Sequence, residues 1–157
     1  MPVFISYFRA NEVLAKAFAD LLKANSIQVY LDVHDDAIKS AENVTTAITK
    51  GLKECTHMLA VVSATTHLSW WVPFEIGFAT SLDRRITTYA MANIALPDYL
   101  KTWPVVTDVP GLQKFIARYK QDSLALERRG DLLEAQRSGI RDAASFHRAL
   151  KADLGQI

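Results

Sequence analysis

One cysteine, Cys55, is the chain's whole complement in 157 residues. No disulfide framework can form within it, and a reducing cytosol suits it better than secretion, so a cytoplasmic protein is expected. Neither sign of charge dominates: 18 basic residues face 17 acidic ones, for a net +1. That balance gives no electrostatic reason to expect nucleic acid or an anionic membrane as partner. No apolar run approaches the ~20 residues a membrane-spanning helix needs. The longest, Met58 to Val62, is strand-sized. The opening Met1-Pro2-Val3-Phe4-Ile5-Ser6 lacks the basic segment and long apolar core of a signal peptide. Internal repeats and low-complexity tracts are absent. No G-x-G-x-x-G follows the first apolar run, and no P-loop occurs, which disfavours a dinucleotide-binding dehydrogenase or an NTPase. His34, His57, His67 and His147 form no ligand pattern, so zinc is not expected. The acids Asp32, Asp35 and Asp36 are unpatterned and read as solvated loop residues rather than a metal rim. Ser6 and Ser63 lack the setting of a nucleophile elbow. Cys55 follows a helix with no motif beside it and reads as a small buried hydrophobe.

What remains is an ordinary globular composition, 50% hydrophobic and 22% charged, of a length that suits one domain with a sizeable core. Val3 to Tyr7 reads as a buried strand. Glu12 to Asn25 carries Val13, Leu14, Ala17, Phe18, Leu21 and Leu22 on one helical stripe, with Asn11 as its N-cap. Ile27 to Leu31 reads as a second strand, followed by an acidic connection from Asp32 to Asn43. A helix is predicted over Val44 to Glu54, a third strand over Met58 to Val62, and a fourth over Ile86 to Ala90. Val105-Val106 is a short fifth strand, and Pro110-Gly111 opens a helix through about Tyr119. From Ser123 the chain turns charged, with spaced leucines, and one or two appended helices are expected, broken near Gly130 or Gly139. Strands alternating with helices imply βαβ units and a parallel sheet covered on both faces.

The most informative stretch is Ser69-Trp70-Trp71-Val72-Pro73-Phe74-Glu75-Ile76-Gly77-Phe78-Ala79, where one carboxylate stands among aromatic and apolar residues. As a helix it places Trp71 and Glu75 four apart on one face. Pro73 fits a first turn, and Ser69 can cap it. Glu75 is then a carboxylate near a helix N-terminus, beside an indole and partly out of water. Such a group is either catalytic or a polar spot on a core helix. Ligands of open parallel sheets bind at the carboxyl ends of the strands, and the start of this helix lies on that rim with Tyr7-Phe8-Arg9, Asp32 to Asp36 and Ser63 to Ser69.

Three motifs in order resemble the Toll/interleukin-1 receptor (TIR) domain family. They are Phe4-Ile5-Ser6-Tyr7, Val29-Tyr30-Leu31-Asp32 and Ser69-x-Trp71-x-x-x-Glu75. The wording Trp71-Val72-Pro73-Phe74-Glu75-Ile76-Gly77 is most similar to stand-alone bacterial TIR proteins, including the TIR component of the Thoeris antiviral system. The resemblance spans about residues 2 to 120. It implies an α/β, flavodoxin-like three-layer fold with a central parallel sheet of about five strands. A TIR domain is expected over 1–122, with a helical extension over 123–157 packed on the same domain. For many members the resemblance also implies cleavage of NAD⁺ at the nicotinamide–ribose bond. Glu75 then corresponds to the catalytic residue, and Tyr7, Phe8, Arg9, Asp32, Ser69 and Trp71 are the substrate-binding candidates. NAD⁺ enters as substrate, with no cofactor and no metal. In Thoeris-type members the product is a cyclic or otherwise modified ADP-ribose that activates a separate effector. A phage-derived trigger and a homo-oligomer accompany that reading. The other reading is a non-enzymatic adaptor acting by TIR–TIR assembly. After Asp32 the chain reads His34-Asp35-Asp36-Ala37-Ile38-Lys39, without the proline- or glycine-bearing loop usual in the family.

Overall fold

Every residue of β1 (Val3–Tyr7) is buried, as a strand between two helical layers must be. In this computed structural model the backbone is described for residues 1–31, 41–128 and 132–157, and side chains for 1–31, 44–125 and 143–157. The order continues with α1 (Glu12–Ala24), β2 (Val29–Leu31), α2 (Ala41–Glu54), β3 (His57–Val62), α3 (Trp71–Ser81), β4 (Arg85–Ala90), β5 (Val105–Val106), α4 (Val109–Arg128) and α5 (Leu132–Asp153). The five strands form one sheet in the order β2-β1-β3-β4-β5, and every pairing is parallel. The chain winds outward from β1 to β2, then crosses back over β1 to β3. The direction of winding therefore reverses between β1 and β3, which opens a crevice outside their carboxyl ends.

Strand alternation divides the core into two layers. Val3, Ile5 and Tyr7 point with Leu59 and Val61 toward α1, α4 and α5, where Phe18, Leu22, Leu112, Phe115 and Phe146 meet them. Phe4 points with Met58, Ala60 and Ile86 toward α2 and α3, against Ile48, Leu52, Val72 and Ile76. Each such fully buried side chain contributes roughly 1.5–3 kcal/mol by leaving water. α1 stops where Ser26 takes a left-handed conformation, φ 62°, while its N–H reaches the Lys23 carbonyl.

Asn11 and the start of α2 depart from expectation. Asn11 does not cap α1, because Arg9–Asn11 already forms a 3₁₀ turn leading into the helix. Its side chain instead donates to Ser63 Oγ at 2.8 Å. Of the two places where a break was expected, α5 runs through Gly139, while α4 ends at Arg128 and α5 begins at Leu132 on either side of Gly130, which lies outside the described residues. The cost of one mid-helix glycine, about 1 kcal/mol, is smaller than what Phe146 and Leu150 gain by burial. α2 also starts earlier than the apolar pattern suggested, at Ala41.

α5 is fastened to the sheet by polar contacts as well as by burial. His147 Nε2 accepts from the Ile86 N–H at 2.9 Å. The Gln156 amide accepts from the Val105 N–H at 3.0 Å and donates to the Val105 carbonyl, closing part of the edge strand β5. Below β3 and β4 lies a buried ionic group. Asp122 Oδ2 is 2.5 Å from Arg85 Nε and 3.4 Å from His57 Nε2. The rings of Phe115, Tyr119 and Phe146 surround His57.

Burial pushes His57 and His147 from 6.5 down to about 4, against the pull of Asp122 on His57 and with Arg85 adding to the effect on both. The unfolded chain therefore binds protons that the fold excludes between pH 6.5 and about 4. Stability is full above that window and is lost as pH falls through it. Thermal melts across the window should show a falling midpoint. His147→Gln, which keeps an acceptor near Ile86 but cannot titrate, should flatten part of the slope. A midpoint that stays level down to pH 4 would contradict the burial of both rings as neutral imidazoles.

Candidate active site

Ser6 is the one β1 residue after Phe4 that faces the α2–α3 layer, because side chains alternate along a strand. Across the register its neighbour is Ala60 of β3, and beyond that lies Thr88 of β4. The floor under α3 is thus a row of small side chains, all completely buried. Into that floor α3 directs Glu75, on the same buried stripe as Val72, Ile76 and Ala79. Glu75 has 0% exposure, and the Ser6 hydroxyl donates to its Oε2.

The start of α3 is built as its sequence suggested. Ser69 is extended, φ −86° and ψ 130°, and its Oγ accepts from the N–H groups of Trp71 and Val72 at 3.2 Å each. This satisfies two of the donors a helix N-terminus leaves over, and Pro73 follows within the first turn. Trp71 is half-buried against the α2–α3 layer and meets Phe74 edge to face at 6.0 Å. Trp70 is 90% exposed. Of the two indoles, Trp71 is therefore the one that shares the helix face of Glu75.

Beyond β1 the chain continues extended at Phe8, which is half-buried, and turns at Arg9, which is exposed. The Asn11–Ser63 bond ties this turn to the end of β3, and Ser63 in turn is held by its N–H to Thr66 Oγ1 at 2.8 Å. Phe8, Arg9, Ser69, Trp71 and Glu75 thus belong to one rim of the sheet. Tyr7 is set apart from them: it points to the opposite layer, 5% exposed among the side chains of the α1 face. Asp32, Asp35 and Asp36 lie outside the described residues. Two contacts were not marked from the sequence: Ser6 as the partner of Glu75, and the tie from Asn11 to Ser63. Strand parity could have found the first, since Ser6 follows Phe4 by two.

A cavity of about 490 Å³ opens on the same rim, on the β4 side of α3, between Ser63, Thr66, Pro73, Asn93 and Tyr99. Glu75, Trp71, Phe8 and Arg9 do not line it. Among the described residues no group of three His, Cys, Asp or Glu side chains could hold a metal ion, and no helix is long and apolar enough to cross a membrane. Cys55 is 1% exposed, and burial pushes its thiol up to about 12. It should resist alkylation in the native protein and react on unfolding, as mass spectrometry of iodoacetamide-treated samples would report. Rapid native labelling would contradict that placement.

A doubly wound, five-stranded parallel sheet covered by helices on both faces defines a flavodoxin-like α/β protein, and the candidate site residues Phe8, Arg9, Ser69, Trp71 and Glu75 lie at the carboxyl ends of its strands. The TIR-domain family model matches residues 3–114, and the chain belongs to that family. Among solved structures it is similar to a 2-deoxyribosyltransferase from the psychrotolerant bacterium Bacillus psychrosaccharolyticus, at 11% identity and a TM-score of 0.54, over 69% of this chain and 87% of that one. It is also similar to the TIR domains of the activated Roq1 resistosome, which recognises the pathogen effector XopQ. There the identity is 13% and the TM-score 0.50, over 98% of this chain and 97% of that one. Both likenesses are of fold. No curated protein matches the chain.

Proposed function

We propose that this protein cleaves NAD⁺ at the nicotinamide–ribose bond, as an NAD⁺ hydrolase or ADP-ribosyl cyclase with Glu75 as its catalytic residue. One observation carries the reading: a completely buried carboxylate, held by the Ser6 hydroxyl, at the rim where this class of sheet binds ligands.

The chemistry asks little more of the protein. When the bond between ribose C1′ and the pyridinium nitrogen breaks, its electron pair goes to the ring, and nicotinamide leaves neutral. No strong general acid is required. Positive charge grows on the ribose as an oxocarbenium-like centre, and a nearby carboxylate stabilises it, as in glycoside cleavage. Water then adds to C1′ and loses a proton to give ADP-ribose, or a nucleophile within the same molecule adds to give a cyclic product. Trp71 and Phe8 offer flat faces to the substrate rings. Arg9 offers a planar guanidinium to the pyrophosphate. Because Glu75 is enclosed, NAD⁺ reaches it only when the rim parts. Closure around the substrate would then limit water and favour cyclisation.

In this reading the protein works in the cytoplasm of a bacterium under phage attack. Its product activates a separate effector, a phage-derived trigger starts the reaction, and self-association accompanies it. The adaptor reading has its own supporting observation: Leu68 and Trp70 stand 60% and 90% exposed beside α3, as an assembly surface requires, while Glu75 is sealed. Incubating NAD⁺ with wild type and Glu75→Gln separates the two. Nicotinamide released by wild type alone supports the enzyme, whereas equal behaviour of both proteins removes Glu75 from any catalytic role.

A further inference from the structure

We propose that Ser6 is a positioning residue for the reaction, fixing the orientation and charge of the Glu75 carboxylate. The proposal rests on the reading of Glu75 as the NAD⁺-cleaving group and adds a second residue to that site.

A hydroxyl is out of place in the sequence Val3-Phe4-Ile5-Ser6-Tyr7, where every side chain is buried and the others are apolar or aromatic. Burying it without a partner costs more than an alanine would. Its partner comes from 69 residues away, on another element. The approach is possible because the floor beside it is small: Ala60 stands next to Ser6 across the register, and Thr88 follows. The long Glu75 side chain descends from α3 onto that floor. The Ser6 hydroxyl anchors its carboxylate by donating to Oε2.

The same bond acts on charge. Glu75 must be ionised to meet a developing cation, yet full burial favours the neutral acid. A hydroxyl donor supplied by an interior strand of the sheet favours the ionised form and needs no reorganisation during the reaction. β1 is paired on both sides, with β2 and β3, so the donor cannot drift. Nothing in this role touches substrate, which separates Ser6 from Phe8, Arg9 and Trp71.

Ser6→Ala is the smallest change that removes the donor. With NAD⁺ as substrate, kcat should fall about ten- to a hundredfold, the range set by loss of a hydrogen bond to a charged group. KM should stay within about twofold, because the proposed binding groups are untouched. The acid limb of the kcat–pH profile should move to higher pH, because a carboxylate that loses a donor holds its proton more tightly. A purely structural role would lower activity equally at all pH values and follow the loss of melting temperature. That pattern would overturn the proposal, as would wild-type kcat with an unmoved acid limb. Should Ser6→Ala melt below the assay temperature, Ser6→Cys, with a weaker donor of similar size, should show an intermediate fall and the same shift of the limb. Glu75→Gln in parallel keeps the two ideas apart. Turnover lost in Glu75→Gln but unchanged in Ser6→Ala sinks the positioning role alone, and turnover equal in wild type and Glu75→Gln sinks both.

Discussion

Replacing Glu75 by glutamine is expected to lower nicotinamide release from NAD⁺ by about a thousandfold, the scale on which a preorganised charge at a reacting centre acts. Glutamine has nearly the shape of glutamate and retains a carbonyl oxygen to accept from Ser6, so the substitution removes charge and little else. The fold should not suffer. A fully buried carboxylate carries a desolvation cost that a neutral amide largely escapes. The melting temperature of Glu75→Gln should therefore equal or exceed that of wild type, the trade expected where function requires a group that stability does not. Activity lost together with several degrees of melting temperature would instead mark Glu75 as a structural residue of α3. Paired kinetics and melts on the same preparations make the distinction.

The second large effect lies at the other end of the sheet. Asp122→Ala should destabilise the protein by about 3 kcal/mol, because it leaves Arg85 buried without its carboxylate. For a chain of this length that corresponds to a fall in melting temperature of about 6–12 °C. Asp98 provides the control. It pairs with Lys101 at 2.8 Å but is 97% exposed. Asp98→Ala should leave the midpoint almost unmoved, as exposed pairs do. Chemical denaturation of the two variants beside wild type reads the contrast. Equal midpoints would mean that the buried pair is as well solvated as the surface one. Because Asp122 sits on α4 while Arg85 and His57 begin β4 and β3, the loss would be felt where the last two helices meet the sheet.

The sheet was legible because its strands announce themselves. Val3 to Tyr7 and Met58 to Val62 are too short and too apolar to be anything but buried strands between helices. The start of α3 was legible because its signals are local: Ser69, Pro73 and the Trp71–Glu75 spacing act within one turn. Contacts made across long sequence separations were not. Asn11 has the right residue type and position for an N-cap, and only the fold reveals that Ser63, 52 residues on, receives its amide. Ser6 and Glu75 are joined over 69 residues by strand parity and by the small Ala60 beside them. Tyr7 follows Ser6 directly, yet alternation sends it to the opposite layer, a distinction that position at a strand end does not carry. Which of Gly130 and Gly139 would lie inside a helix was not legible locally, and α5 runs through Gly139 with Phe146 and Leu150 packed into the core.

Incubation of the purified protein with NAD⁺, resolved by chromatography and mass spectrometry for nicotinamide and every ADP-ribose species, tests the role of Glu75 most directly. The same assay should be repeated in lysates of phage-infected cells expressing wild type or Glu75→Gln. The expected result is nicotinamide and one ADP-ribose product in equal amounts, from wild type only. Intact NAD⁺ with wild type in both settings, or nicotinamide from both proteins alike, would contradict it.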